Sequence, residues 1–246
     1  MKKIRILSGN MLKVIAAITM TVDHIGVIFF PSSNILRIIG RISFPIFAFM
    51  IAEGCKYTKN KFRYFNTITI FGLLFQVVFY HFTKMEYGNI FITFALSILM
   101  IYALEGFQKR IYDSKYTNFS CLISALFLIG SVVMTYFLNQ RFEIDYGFYG
   151  SLVPVFASLF VARSNETPKL IRVLDNNFIH VLMLGLGLYL EYISYGWLQL
   201  YSLLALPLLL LYSGKRGQKN MKNFFYLFYP IHLVVLYGIA MVINML

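Results

Sequence analysis

Nine runs of apolar sequence, at about residues 11–30, 35–55, 65–83, 90–107, 118–138, 147–163, 177–193, 197–213 and 223–244, follow one another with only short connections between them. Several approach the roughly 20 residues that a helix needs to cross a bilayer. A transmembrane β-barrel would instead show segments of about ten residues alternating apolar and polar, and none is present. With 59% hydrophobic and 13% charged residues, the chain has too few polar side chains to cover a soluble globule. These features predict an all-α, polytopic transmembrane helix bundle of about nine spans, between eight and ten. The short connections leave no room for a sizeable soluble domain, so residues 1–246 read as a single domain.

The amino terminus has the basic lead and apolar run of a signal peptide. Asp23 and His24 interrupt that run and no clean small-x-small cleavage site follows, so the segment reads as an uncleaved first helix. Lys and Arg placement then orients the bundle. A cytoplasmic amino terminus puts 18 of the 22 basic residues on the cytoplasmic side. They fall in five groups: Lys2, Lys3, Arg5 and Lys13; Lys56, Lys59, Lys61 and Arg63; Lys109, Arg110 and Lys115; Arg163, Lys169 and Arg172; Lys215, Arg216, Lys219 and Lys222. Arg37, Arg41, Lys84 and Arg141 are the remainder. That asymmetry follows the positive-inside rule and implies an odd number of spans. It also accounts for the net charge of +12, because a basic surface suits an anionic cytoplasmic leaflet. No nucleic-acid-binding motif accompanies the charge, so nucleic acid is not an expected partner. Cys55 and Cys121 lie near the cytoplasmic ends of their spans and read as packing residues rather than a disulfide.

Three ionisable residues lie inside the apolar runs: Asp23 and His24 in the first, Arg41 in the second. A charge at bilayer depth costs at least a few kcal/mol, so such residues face a bundle interior and find partners. At about 1.5 Å per residue, Asp23 falls in the outer half of span one and Arg41 in the outer half of the descending span two, so the two can meet. The pair would offset part of the desolvation cost and leave His24 beside a carboxylate. Adjacent helical side chains diverge by about 100°, however, so Asp23 and His24 cannot share one partner. The trio reads either as a catalytic cluster or as a brace between helices.

Other polar positions carry weaker signals. Glu53, near the cytoplasmic end of span two, has Lys56 or Lys59 within reach. Pro45 is expected to kink span two beside Arg41. Gln76 is either an interhelical hydrogen bond or a cavity lining. Asn89, Glu143, Asp145, Glu191 and Gln199 fall near outer helix ends and are expected to be mostly solvated. His232 sits in mid-span nine, shortly after Pro230, whereas His81 and His180 lie at span ends. The segment YSGKRGQKNMKNFF combines glycines with basic residues; it is either a phosphate-binding loop or a positive-inside anchor.

The stretches LKVIAAITMTVDHIG, GRISFPIFAFMIAEGCKYTKNKFRYF and LYSGKRGQKNMKNFFYLFYPIHL together resemble the TraX family. That resemblance implies a polytopic bacterial plasma-membrane acetyltransferase, whose named member modifies the amino terminus of an F-type pilin. An Asp/His-bearing first helix followed by a Phe-rich, Gly-ended second one is also similar, more distantly, to membrane acyltransferases with a first-helix histidine base. Together these imply a single transmembrane acyltransferase-like domain over residues 1–246. It would use acetyl-CoA as acyl donor, with a peptide or glycan as acceptor and membrane lipids around it. His24 would be the base, with Asp23 and Arg41 supporting it. Lys13, Lys56, Lys59 and Arg216 would attract the donor's phosphates, and Glu53 and His232 join them in the donor-binding set. No residue is assigned to a metal. Buried Asp, His and Arg also build transport relays, so a membrane transporter or channel is the alternative, and a non-catalytic scaffold a third.

Overall fold

A computed structural model describes residues 6–83, 87–164, 166–218 and 221–243. Among the basic residues that orient the chain, Lys2, Lys3, Arg5, Lys84 and Lys219 lie outside the described residues. Helices make up the described chain: α1 (Gly9–Phe29), α2 (Asn34–Gly40), α3 (Ser43–Tyr57), α4 (Lys61–Thr83), α5 (Ile90–Tyr112), α6 (Asn118–Arg141), α7 (Gly147–Ala157), α8 (Lys169–Leu174) and α9 (Asn177–Tyr195). A 3₁₀-helix (Trp197–Ala205), α10 (Leu206–Leu210) and α11 (Lys222–Val242) complete it. Two isolated β-bridges, Leu7 with Tyr212 and Gly88 with Ile144, are the extended pairings among the described residues.

Among the described residues, seven segments are long and apolar enough to cross a membrane: Gly9–Phe29, Asn34–Tyr57, Lys61–His81, Ile90–Tyr112, Asn118–Arg141, Asn177–Tyr195 and Phe224–Val242. The chain is a multi-pass helical membrane protein. The apolar surface of α6 supports this reading, because Phe119, Leu122, Leu126, Phe127 and Phe137 are exposed along its length, a patch that water would penalise. The two remaining apolar runs are shorter than the sequence suggests. Helix α7 contains Pro154 and ends after 11 residues, about 16 Å by helical rise. The segment at 197–210 has nine 3₁₀ residues followed by five α-helical ones, together about 25 Å.

The chain divides into two compact units, with boundaries inside α3 and α9. A terminal unit comprises Met1–Met50 and Leu188–Leu246; a central unit comprises Ile51–Gly187. In the terminal unit, α1 packs on both α2 and α11, and the 3₁₀-helix packs on α2. Ser8 caps α1 by accepting from the Met11 amide at 3.3 Å. Helix α1 comes close to α2 because a Cβ on Gly26 would lie 2.8 Å from that of Leu36. In the central unit, α5 packs against α4, α6 and α7. Hydrogen bonds from Thr93 Oγ1 to the Asp145 carbonyl (2.5 Å) and from Ser97 Oγ to the Ser151 carbonyl (2.7 Å) join α5 to the α7 segment. Gln76 proves to be an interelement tie: it donates to the Tyr87 carbonyl at 2.9 Å and accepts from the Asn89 side chain at 3.0 Å.

Candidate active site

Leu12, Ala16, Met20 and Asp23 are buried on α1 at spacings of four, four and three residues, which put them on one helix face. Asp23 thus occupies the position an apolar core residue would otherwise take. Opposite it the second span is broken. Pro45 has no amide hydrogen to bond one turn back, a defect that costs least in the first turn of a helix; α3 starts at Ser43, and Arg41 and Ile42 form a turn after α2. The break points the buried Arg41 at Asp23: Nη2 donates to Oδ2 at 2.7 Å. Its Nη1 donates to Gln199 Oε1 at 3.3 Å, which ties the 3₁₀-helix to the pair. Arg37, one turn earlier on α2, places Nη1 3.5 Å from the same carboxylate oxygen. Gly40 completes the fit, because a Cβ there would overlap the Asp23 carboxyl group. One carboxylate therefore faces two guanidiniums in a largely buried setting, where a charge-assisted bond is stronger than at a surface.

His24 points elsewhere, as the helical geometry requires. Its Nδ1 lies 3.0 Å from Nε2 of His232 on α11, with ring centroids 4.9 Å apart. The expected carboxylate beside His24 gives way to a second imidazole, since Asp23 turns to α2 and the next face of α1 belongs to α11. His232 is buried; Phe228 stacks on it at 5.2 Å with an interplanar angle of 10°, and Tyr229 meets it at 5.7 Å. His232 Nδ1 bonds the Phe228 carbonyl at 2.9 Å. His24 is half-buried.

The residues expected to hold the donor divide between the units. Lys13 and Arg216 belong to the terminal unit: Lys13 Nζ stands 5.7 Å from the Phe225 ring centroid, and Arg216 is exposed. The loop around Arg216 is pinned to the start of α1, with the Gly9 amide donating to the Lys215 carbonyl (2.8 Å) and the Asn10 amide to the Arg216 carbonyl (2.9 Å). Those contacts, with the Ser8 cap, occupy the first-turn amides of α1. Any phosphate cradle here is therefore left to side chains rather than to a helix N-terminus. Lys56, Lys59 and Glu53 belong to the central unit. Lys56 pairs with Asp175 at 2.6 Å, Lys59 is exposed, and Glu53 is half-buried. Nearby, Glu105 joins Lys61 to Arg163, the latter at 3.3 Å, and Asp175 also meets His180 Nε2 at 3.1 Å. Burial pulls the Arg163 guanidinium below its ordinary value, and Glu105 works against that.

Sequence reasoning passed over several partners. Arg37 is four residues from Arg41 and so on the same helix face, a spacing that would have flagged it. Asn89 and Glu191, expected to be solvated, are buried. Glu191 continues the buried face of Val181, Leu184 and Leu188 on α9, and that periodicity carried the signal. No group of three metal-ligating side chains occurs among the described residues.

A family model described as TraX protein matches residues 8–240. The chain belongs to the TraX family. It is similar to an uncharacterized protein of Rickettsia prowazekii (strain Madrid E), at 32% identity over 160 residues. That match covers 64% of this chain and 57% of the relative, so it spans little more than half of that protein's length. It is also similar to a Dichelobacter nodosus protein named a probable fimbrial assembly protein FimC, serogroup H1, at 24% identity over 255 residues, covering 93% of this chain and 94% of that one. No solved structure matches this TraX-family chain.

Proposed function

We propose that this TraX-family protein is an integral membrane acetyltransferase. It moves an acetyl group from acetyl-CoA to an amine or hydroxyl at the membrane or its outer face. Its setting is the bacterial plasma membrane with the amino terminus cytoplasmic, as the loop charges suggest. The observation that carries the reading is His24, half-buried at the edge of a site whose other members, Asp23, Arg41 and His232, are all buried. An imidazole so placed can reach a substrate while its neighbours hold the frame.

In this reading His24 takes the proton released as the acceptor nitrogen or oxygen bonds to the thioester carbonyl carbon. The C–S bond then breaks, and the imidazolium returns the proton to the departing thiolate. The Arg37 and Arg41 guanidiniums, outnumbering the single Asp23 carboxylate, leave local positive charge that favours a developing oxyanion. Lys13 and Arg216, in the same unit as His24, are the first candidates for the donor's phosphates. The name of the Dichelobacter relative makes the terminal amine of a pilin-type subunit the first acceptor to try.

The test is the full chain in lipid nanodiscs with radiolabelled acetyl-CoA and, separately, a free-amine peptide, a glycan and a lipid head group. Label on one acceptor, lost in a folded His24→Ala protein, is the expected result. Full transfer by that variant, or neither transfer nor thioester hydrolysis by the wild type, overturns the proposal. Movement of a solute across vesicles without turnover would point to a carrier instead.

A further inference from the structure

The two imidazoles are joined in a fixed order. A carbonyl oxygen only accepts, so His232 Nδ1, 2.9 Å from the Phe228 carbonyl, carries a hydrogen. A neutral imidazole carries one such hydrogen, so His232 Nε2 presents a lone pair. The atom facing that lone pair at 3.0 Å is His24 Nδ1, which must therefore be the donor. The opposite arrangement would set the lone pair of His232 Nδ1 against the Phe228 carbonyl oxygen. With Nδ1 of His24 protonated, its Nε2 is the unprotonated nitrogen.

We propose that His232 is a positioning residue that holds His24 in the Nδ1-protonated tautomer, so that His24 Nε2 is the atom that receives the acceptor's proton. This rests on the acetyltransferase reading above. The fit of His232 to the task is geometric. Phe228 stacked on one side, the Tyr229 edge and the Phe228 carbonyl fix the ring plane. Both ring nitrogens are engaged within the protein, which leaves neither for the donor, the role expected from sequence. The same logic governs metal-bound and triad histidines, whose second nitrogen is held by an orienting group.

The experiment uses the full chain in nanodiscs with ¹⁵N-labelled histidine, the His24 signals being assigned by their loss in His24→Gln. Wild-type His24 is expected as the Nδ1-protonated tautomer, and His232→Ala to convert a measurable share to the Nε2-protonated form. In the transfer assay His232→Ala is expected to lower kcat about 10- to 100-fold, in the range seen for loss of a histidine's orienting partner. KM for acetyl-CoA should stay near wild type. His232→Gln, whose Oε1 can still accept from His24, is expected to recover part of both the tautomer and the rate. A wild-type His24 in the Nε2-protonated form overturns the proposal, as does a His232→Ala protein with unchanged tautomer or with a raised KM at unchanged kcat. Should the wild type transfer no acetyl group, the acetyltransferase reading fails, while the nitrogen spectra still decide the tautomer.

Discussion

The terminal and central units both bury charge, and they do so in different places. In the central unit most of the paired charges sit where helices begin or end: Lys56 in the last turn of α3, Lys61 at the start of α4, Asp175 after α8 and His180 in the first turn of α9, with Glu105, two turns inside α5, the exception. Such end positions lie toward the ends of apolar spans, where long side chains can lean toward the interface. In the terminal unit the contacts form inside the apolar run itself, with Asp23 in mid-face on α1 and Arg41 at an interruption of the second span. A broken helix, a glycine with no room for a side chain and a third element bearing Gln199 are all recruited to one carboxylate. That accommodation is what the proposed catalytic role would require of the terminal unit, whereas most of the central network sits at helix ends.

The comparison can be broken by substitution. The largest effect is expected in the terminal unit: His24→Ala should reduce acetyl transfer by about 10²- to 10⁴-fold, the usual contribution of a general base, with insertion and melting unchanged. A folded variant with full activity would return the site to the status of a brace. Next, Arg41→Ala leaves a largely buried carboxylate with only the more distant Arg37 and is expected to cost up to about 3–5 kcal/mol, read as a lowered unfolding midpoint in detergent. Arg41→Lys should recover only part of this, since it cannot serve Asp23 and Gln199 with a planar fork. Gly40→Ala drives a Cβ onto the Asp23 carboxyl group and should cost about 1–3 kcal/mol. The smallest effect belongs to the central unit: Lys61→Ala removes a half-exposed partner of Glu105 and should change the midpoint by no more than about 1 kcal/mol. A Lys61 effect equal to that of Arg41 would erase the distinction between the units.

Much of this was legible in the chain. The apolar runs located the helices because length and hydropathy are local properties, and the Asp23–Arg41 contact followed from two costly charges at matching depths in consecutive spans. The short helix α7 and the 3₁₀-helix were less visible, because composition reports apolarity and not the rise per residue. The contact between His24 and His232 had no local signal at all. It joins positions 208 residues apart, and a mid-span histidine after a proline looks the same with or without a distant partner. Likewise Gln199 reaches Arg41 because the 3₁₀-helix packs on α2, a fact of tertiary placement.

The wide separation of His24 and His232 also has a consequence for biosynthesis. A chain made at about 5–20 residues per second presents Asp23 and Arg41 to each other within seconds of their synthesis, whereas the 208 residues that separate His24 from His232 take about 10–40 s. The brace can close early, as a helical hairpin, while the imidazole pair waits for α11. Until α11 inserts, the nascent protein holds a formed ion pair and an unoriented histidine, so the proposed base would be set in place only after α11 has been made.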